Sequence, residues 1–239
     1  GLTLSVLGDE LKAVLQGVDA DAKIGITNDL TLDLTVNPDF GQVDADPSAI
    51  ALDGFQIFFQ ERRPFFVENK NIFDFSVSQS QASNTFCSDN IFYSRRIGRS
   101  PQGYPDTSDG EFVDQPDNTP IIGAAKFSGK TKNGWAIGVL ESVTSQRQAT
   151  IVNGSGDRRK EIVEPLTNYF VGRLQKDFNQ RNSYIGGIIT ATNRENLPEE
   201  LNFLHEAAYT GGLDFKHQWN NRDWYVGGNI TFSHIQGSA

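Results

Sequence analysis

Residues 207–235, AAYTGGLDFKHQWNNRDWYVGGNITFSHI, decide the fold. Alternation with period two runs through both halves, as a strand requires, and predicts strands over 206–218 and 223–235. In the first, Tyr209, Gly211, Leu213, Phe215, His217 and Trp219 share one face, and Thr210, Gly212, Asp214, Lys216 and Gln218 share the other. The second repeats the division: Trp224, Val226, Gly228, Ile230 and Phe232 against Tyr225, Gly227, Asn229, Thr231 and Ser233. The intervening NNR (220–222) has the turn chemistry of a tight hairpin.

Upstream the pattern recurs over 121–129, 134–143, 167–176 and 183–192. Within pairs the links are short, KTKN (130–133) and DFNQRN (177–182). Between pairs they are long and polar, 145–166 and 193–205. Short turns at one end and long loops at the other are the pattern of an up-and-down antiparallel transmembrane β-barrel. Trp135, Trp219 and Trp224 all fall beside short turns, where an interfacial girdle places amphipathic rings. At the front, Lys23–Thr27 and Leu30–Val36 flank an Asn28-Asp29 turn and predict another hairpin, with one more strand within 4–18. The chain thus divides into first barrel strands (1–36), an insertion (37–120) and barrel hairpins (121–239). The insertion is too long and too aromatic for a linker, since Phe55, Phe58, Phe59, Phe65, Phe66, Phe73 and Phe75 need burial, and it is expected to act as a plug or lid.

Composition sets limits. With 21 basic and 30 acidic side chains the net charge is −9, which argues against the clustered basic surface that binds nucleic acid, and the pairs Arg62-Arg63, Arg95-Arg96 and Arg158-Arg159 are too small for such a footprint. No apolar run approaches the roughly 20 residues of a spanning helix, a limit that does not bear on β-strands. Cys87 is the single cysteine, so no intrachain disulfide can form. Residue 1 is Gly, no Met occurs and no signal segment opens the chain, as expected of a mature protein or a fragment.

Four blocks, LTLDLTVNPDFGQVDADPSAI (30–50), FQIFFQERRPFFVENKNIF (55–73), IFYSRRIGR (91–99) and IIGAAKFSGKTKNGWAIGVL (121–140), resemble a family of large bacterial proteins. Those proteins carry a family-nine carbohydrate-binding-like domain followed by a conserved domain of unknown function predicted to be an outer-membrane β-barrel, and the resemblance is to that second domain. It implies the outer membrane of a Gram-negative bacterium, contact with its lipid, and a link to glycan handling or to another envelope protein. It implies no cofactor and no known reaction. The carbohydrate-binding-like module is not in this sequence, and the last residues, GSA, lack the terminal aromatic of a complete barrel; the expectation is a piece of a longer chain, with eight or nine strands as a lower bound.

Candidate chemistry is concentrated in the insertion. Glu61, Arg62, Arg63 and Glu68 lie between two Phe pairs, with Arg95 and Arg96 further on. Their guanidinium forks could hold a sugar carboxylate or phosphate while the rings stack on it, or the charges could pair with one another and anchor the insertion. Asp39, Asp44 and Asp46, with Asp53 beyond, offer oxygen ligands for calcium, but Ile50 stands where the twelve-residue loop needs its last acid, and Asx turns explain them more simply. GKT (129–131) fails as a phosphate loop because Ala124 occupies the required Gly position. His205, His217 and His234 are too far apart for a compact zinc motif, and no G-x-S-x-G occurs. Arg173, Gln175, Asp214, Lys216, Asn229 and Thr231 are the expected lumen-facing wall. No catalytic residue is assigned.

Two functional classes follow. One is an outer-membrane barrel serving transport, surface binding or envelope-complex assembly. The other is a soluble, secreted all-β domain that binds carbohydrate or hydrolyses glycosides, with Trp219, Trp224 and Tyr225 as stacking platforms.

Overall fold

The computed structural model describes residues 20–38, 59–77 and 90–237. Eight antiparallel strands form one sheet in the order β1-β2-β4-β5-β8-β9-β10-β11. They are β1 (Ala20–Gly25), β2 (Leu30–Val36), β4 (Ile121–Lys130), β5 (Trp135–Thr144), β8 (Leu166–Phe178), β9 (Ser183–Glu195), β10 (Ala207–Trp219) and β11 (Trp224–Gln236). Chain order and sheet order agree except for a second sheet, β3-β6-β7, made by β3 (Phe112–Asp114), β6 (Arg147–Val152) and β7 (Arg158–Glu164). Among the described residues the large sheet is open, with β1 and β11 as its edges. Among the described residues helix is limited to the single turn Pro64–Val67 and a few 3-10 turns, none long or apolar enough to cross a membrane, which says nothing about crossing by strands. The expected strand within 4–18, the acids Asp39, Asp44, Asp46 and Asp53, the rings Phe55 and Phe58, and Cys87 lie outside the described residues.

Register explains the two faces. Residues directly opposite across antiparallel strands share a face. Ile24, Leu32, Phe127, Val139, Gly172, Ile189, Gly211 and Phe232 form one row across all eight strands. Leu30, Gly129, Ile137, Leu174, Gly187, Leu213 and Ile230 form the next. Both rows are apolar, and Leu213, Ile230 and Phe232 are 63%, 74% and 63% exposed. The opposite face carries Asp33, Lys126, Arg173, Asp214 and Asn229, and residues around 65–75 and 91–97 pack on it, while 102–114 lie against the second sheet. Phe66, Phe73 and Phe75 from this insertion bury against Ile121, Ala124, Leu140, Val171 and Ile188, forming the core with Ile97. Of the rings that the sequence leaves in need of burial, Phe66, Phe73 and Phe75 are thus buried on the polar face, and Phe65 packs half-buried beside them.

The short turns share one end of the sheet. Asn179–Arg181 and Asn220–Arg222 each place three consecutive residues at positive φ. Asn tolerates that conformation better than most residues, because its short amide bonds locally. Adjacent turns are tied together: Asp177 donates its backbone N–H to Gly134 O at 2.8 Å, and Arg222 Nε donates to Asn182 Oδ1 at 3.2 Å. Trp135, Trp219 and Trp224 all lie at this end, with Lys176 over the Trp135 ring at 5.1 Å.

At the other end, the link 145–166 is not a plain polar loop. It contains the β6–β7 hairpin, turned at Asn153–Asp157, where Asn153 Oδ1 accepts the Ser155 and Asp157 N–H groups. Ala149, Ile151 and Val163 are buried here, so the apolar half of a short alternation has a place to go.

Candidate functional site

Polar groups on the covered face meet the insertion at three places. The first is an ion pair set into the sheet. Arg173 on β8 reaches across β9 to Asp214 on β10, Nη1 to Oδ1 at 2.7 Å and Nη2 to Oδ2 at 2.8 Å. The crossing depends on Gly186: a Cβ there would stand 2.7 Å from Asp214 Oδ1 and 2.8 Å from Arg173 Nη1. Arg173 is 3% exposed, and its guanidinium lies 5.2 Å from the centre of the Phe75 ring. Phe75 in turn occupies the space that a side chain at Gly212 would fill, its Cζ 2.5 Å from that Cβ position. Gln175 accepts from Arg173 and donates to Asp177, completing a forked charge-assisted network.

The second place is Lys126 on β4, which is 1% exposed. Its ammonium donates to the carbonyls of Phe65 and Glu68, capping the carbonyl end of the Pro64–Val67 turn, and lies 3.4 Å from Asp33 Oδ2. Pro64 suits the first position of that turn, where no N–H is needed. Nearby, Lys23 pairs with Glu68 and Asn69 donates to Ser128 Oγ at 3.0 Å. At the far side of the sheet Asn229 donates to the carbonyls of Ser76 and Val77 at 3.1 and 3.0 Å. The insertion is therefore tethered from β1 to β11 mostly through its own backbone carbonyls.

The third place lies inside the insertion. Glu61, 5% exposed, accepts from Arg63 Nε at 2.8 Å, Arg63 Nη2 at 2.7 Å and Ser94 Oγ at 2.6 Å. Arg63 also donates to the carbonyls of Ser94 and Ile97 and covers the Phe66 ring at 4.3 Å. Burial alone would raise the Glu61 carboxyl; the Arg63 and Ser94 donors outweigh it and hold the group below its ordinary value. A carboxylate lowered on folding stabilises the fold fully above its unfolded value of about 4.3, and that contribution is lost as pH falls through the lower folded value. Limited proteolysis of the insertion is expected to stay slow down to that range and then accelerate, and Glu61→Gln to abolish the acid step. Equal acid sensitivity in the variant would assign the step elsewhere.

A cavity of about 120 Å³ opens beside this cluster, lined by rings such as Phe59, Phe66, Phe73 and Phe92 with Gln60, Lys70 and Asp74. Arg95 donates to Gln60 O at 2.8 Å and sits 5.8 Å from the Phe59 ring, while Arg62 and Arg96 are exposed. Of the six charged residues singled out in the insertion, Glu61 and Arg63 thus pair with each other, Arg62 joins Glu61 through its backbone N–H, Glu68 turns to the sheet, and Arg95 reaches Gln60.

The residues expected to line a lumen share the covered face. Arg173, Gln175 and Asp214 form the network above, Asn229 holds the insertion, Lys216 stands 4.8 Å over the Tyr225 ring, and Thr231 is exposed on β11. Tyr225 is therefore on the face opposite Trp219 and Trp224, and the three rings do not make one stacking platform. The buried Lys126–Asp33 pair escaped the sequence reading, although LTLDLTV and GAAKFSG place both on the polar half of their alternation. Ser183 Oγ lies 2.7 Å from His217 Nδ1, but Ser183 is 3% exposed and the imidazole stacks on Trp219, so the pair is a cross-strand contact on the apolar face. No metal-binding group of His, Cys, Asp and Glu occurs among the described residues.

Comparison with known proteins gives one result. No curated protein and no solved structure matches the chain. Residues 8–239 match the model of a family described as a domain of unknown function, DUF5916. This all-β chain, whose eight-stranded sheet has a covered polar face and a bare apolar one, thus belongs to the DUF5916 family.

Proposed function

We propose that this chain supplies wall and plug of an outer-membrane β-barrel whose work is selective passage or docking at the envelope. The observation that carries the reading is the bare apolar face. Two rows of Ile, Leu, Val, Phe and Gly run across the sheet, one over all eight strands and one over seven, and Ile24, Val139, Leu174, Ile189, Leu213, Ile230 and Phe232 in them are exposed. A water-facing sheet of this extent would be an aggregation surface, whereas hydrocarbon is its natural solvent. Strand length fits: from Tyr209 to Trp219 is about 33 Å along the strand at about 3.3 Å per residue, or about 25 Å of bilayer at a tilt near 40°. The tryptophans at the short-turn end then lie at an interface. On the other face the ionic network and the docked insertion make a polar interior, and residues 59–77 with 90–120 act as the plug. The carbohydrate-binding-like module of the resembling proteins adds glycan handling as the setting.

The test is fractionation of the full-length native protein, followed by gel migration with and without boiling. Recovery in the outer membrane with a heat-shifted band is the expected result. A soluble protein with no heat shift would overturn the barrel and leave the secreted glycan-binding reading.

A further inference from the structure

Beyond the barrel itself, the long-link end of the polar face gathers three arginines about a single acid. Arg194 ends β9 on the same face as Tyr169 and Arg173, opposite Thr167 in register. Arg99 approaches from the insertion, close enough for Arg99, Arg194, Glu164 and Tyr169 to act on one another electrostatically. Arg147 begins β6 directly opposite Glu164. The Nε atoms of Arg99, Arg147 and Arg194 are all buried without a hydrogen-bond partner among the described residues. Among the described residues no acid lies within ion-pair distance of any of the three. Glu164, the one carboxylate at the cluster, is 2% exposed and already accepts from the Gln102 backbone N–H and side-chain amide at 2.9 and 3.2 Å.

In a chain of net charge −9, a knot of three cations around one occupied acid is unusual. A buried guanidinium N–H without an acceptor is costly, and the acceptor that fits its fork is a carboxylate or phosphate. The fold also holds these side chains in place. Arg63 fixes the Ile97 carbonyl at 2.6 Å, and Gly98, at φ +83°, turns the chain so that Arg99 follows. Thr119, packed against that turn, keeps its own buried hydroxyl unpartnered. Arg194 is anchored by its backbone N–H to Glu206 O at 2.8 Å and by Nη1 to His205 O at 2.6 Å.

We propose that Arg99, Arg147 and Arg194 form an anion site at the long-link mouth of the polar face, which takes a ligand through a carboxylate or phosphate group. An acidic sugar and a phosphorylated one share this chemistry. The arginines do catalysis no service here; they select charge at the entrance.

The test is calorimetric titration of the full-length protein in detergent with inorganic phosphate, with glucuronate and with uncharged glucose. Either anion should bind, and Arg99→Gln should weaken it about tenfold or more, the loss of one charge-assisted fork. Arg99→Lys should fall between, since it keeps the charge and loses the fork. The anion that binds identifies the source, carboxylate or phosphate. Binding of neither up to about 10 mM, affinity unchanged in both Arg99→Gln and Arg194→Gln, or equal binding of glucose would overturn the site. The heat shift of each variant reports folding separately, so loss of anion binding with the shift retained bears on this site and leaves the barrel reading intact.

Discussion

Leu213→Arg and Ile230→Arg are each expected to remove most of the folded, heat-shifted species while leaving expression unchanged. The two residues are cross-strand partners in the middle of the apolar face, 63% and 74% exposed. In water an exposed leucine has little to lose, and Arg there would change stability by no more than about 0.5 kcal/mol. At the midplane of a bilayer the same change costs about 2 to 4 kcal/mol. The two solvents therefore predict outcomes far apart for one substitution. Leu213→Ile, which keeps the side chain apolar, should be silent in either. Wild-type folding of both Arg variants in lipid would remove the apolar face as support for a membrane wall.

The second large effect is at the ion pair beneath Phe75. Arg173→Ala or Asp214→Ala alone should cost about 3 to 5 kcal/mol, because the remaining charge is left without another counter-ion at contact distance among the described residues. Replacing both, Arg173→Met with Asp214→Leu, should recover much of that loss. Denaturant titration of the two singles and the double measures the coupling. Phe75 gives a second readout, since its ring rests on the guanidinium: the insertion should become protease-sensitive in the singles and not in the double. Additive losses in the double variant would show that the pair is not what seats the insertion.

Much of the sheet was legible because its signals are local. The alternations over 121–129 and 206–218 fall within a residue or two of β4 and β10, and the short Asn-rich links are turns. Parity then places Asp214 and Arg173 on one face before any coordinates exist. The β6–β7 hairpin was equally local, with Asn153-Gly154 between ATIV and KEIV, but its charged flank, RRK, reads as loop. What no spacing reveals is pairing across distance. Arg173 finds Asp214 through register and through the gap at Gly186, and the three arginines of the proposed anion site come from an insertion and two separate strands. The Glu61–Arg63 pair was visible as two neighbours, yet its role, holding Ser94 and Ile97 in place, exists only once residues 94–97 fold back on it.

The tether from Asn229 to Ser76 and Val77 spans 153 and 152 residues of sequence. Hairpins closed by turns of a few residues cost little loop entropy, whereas this contact needs nearly the whole chain in place first. That difference predicts an assembly order: the four hairpins of the large sheet form locally, and the seating of Ser76 and Val77 waits for β11 to join its neighbours. The polar face therefore stands uncovered at its β11 side until folding is almost complete.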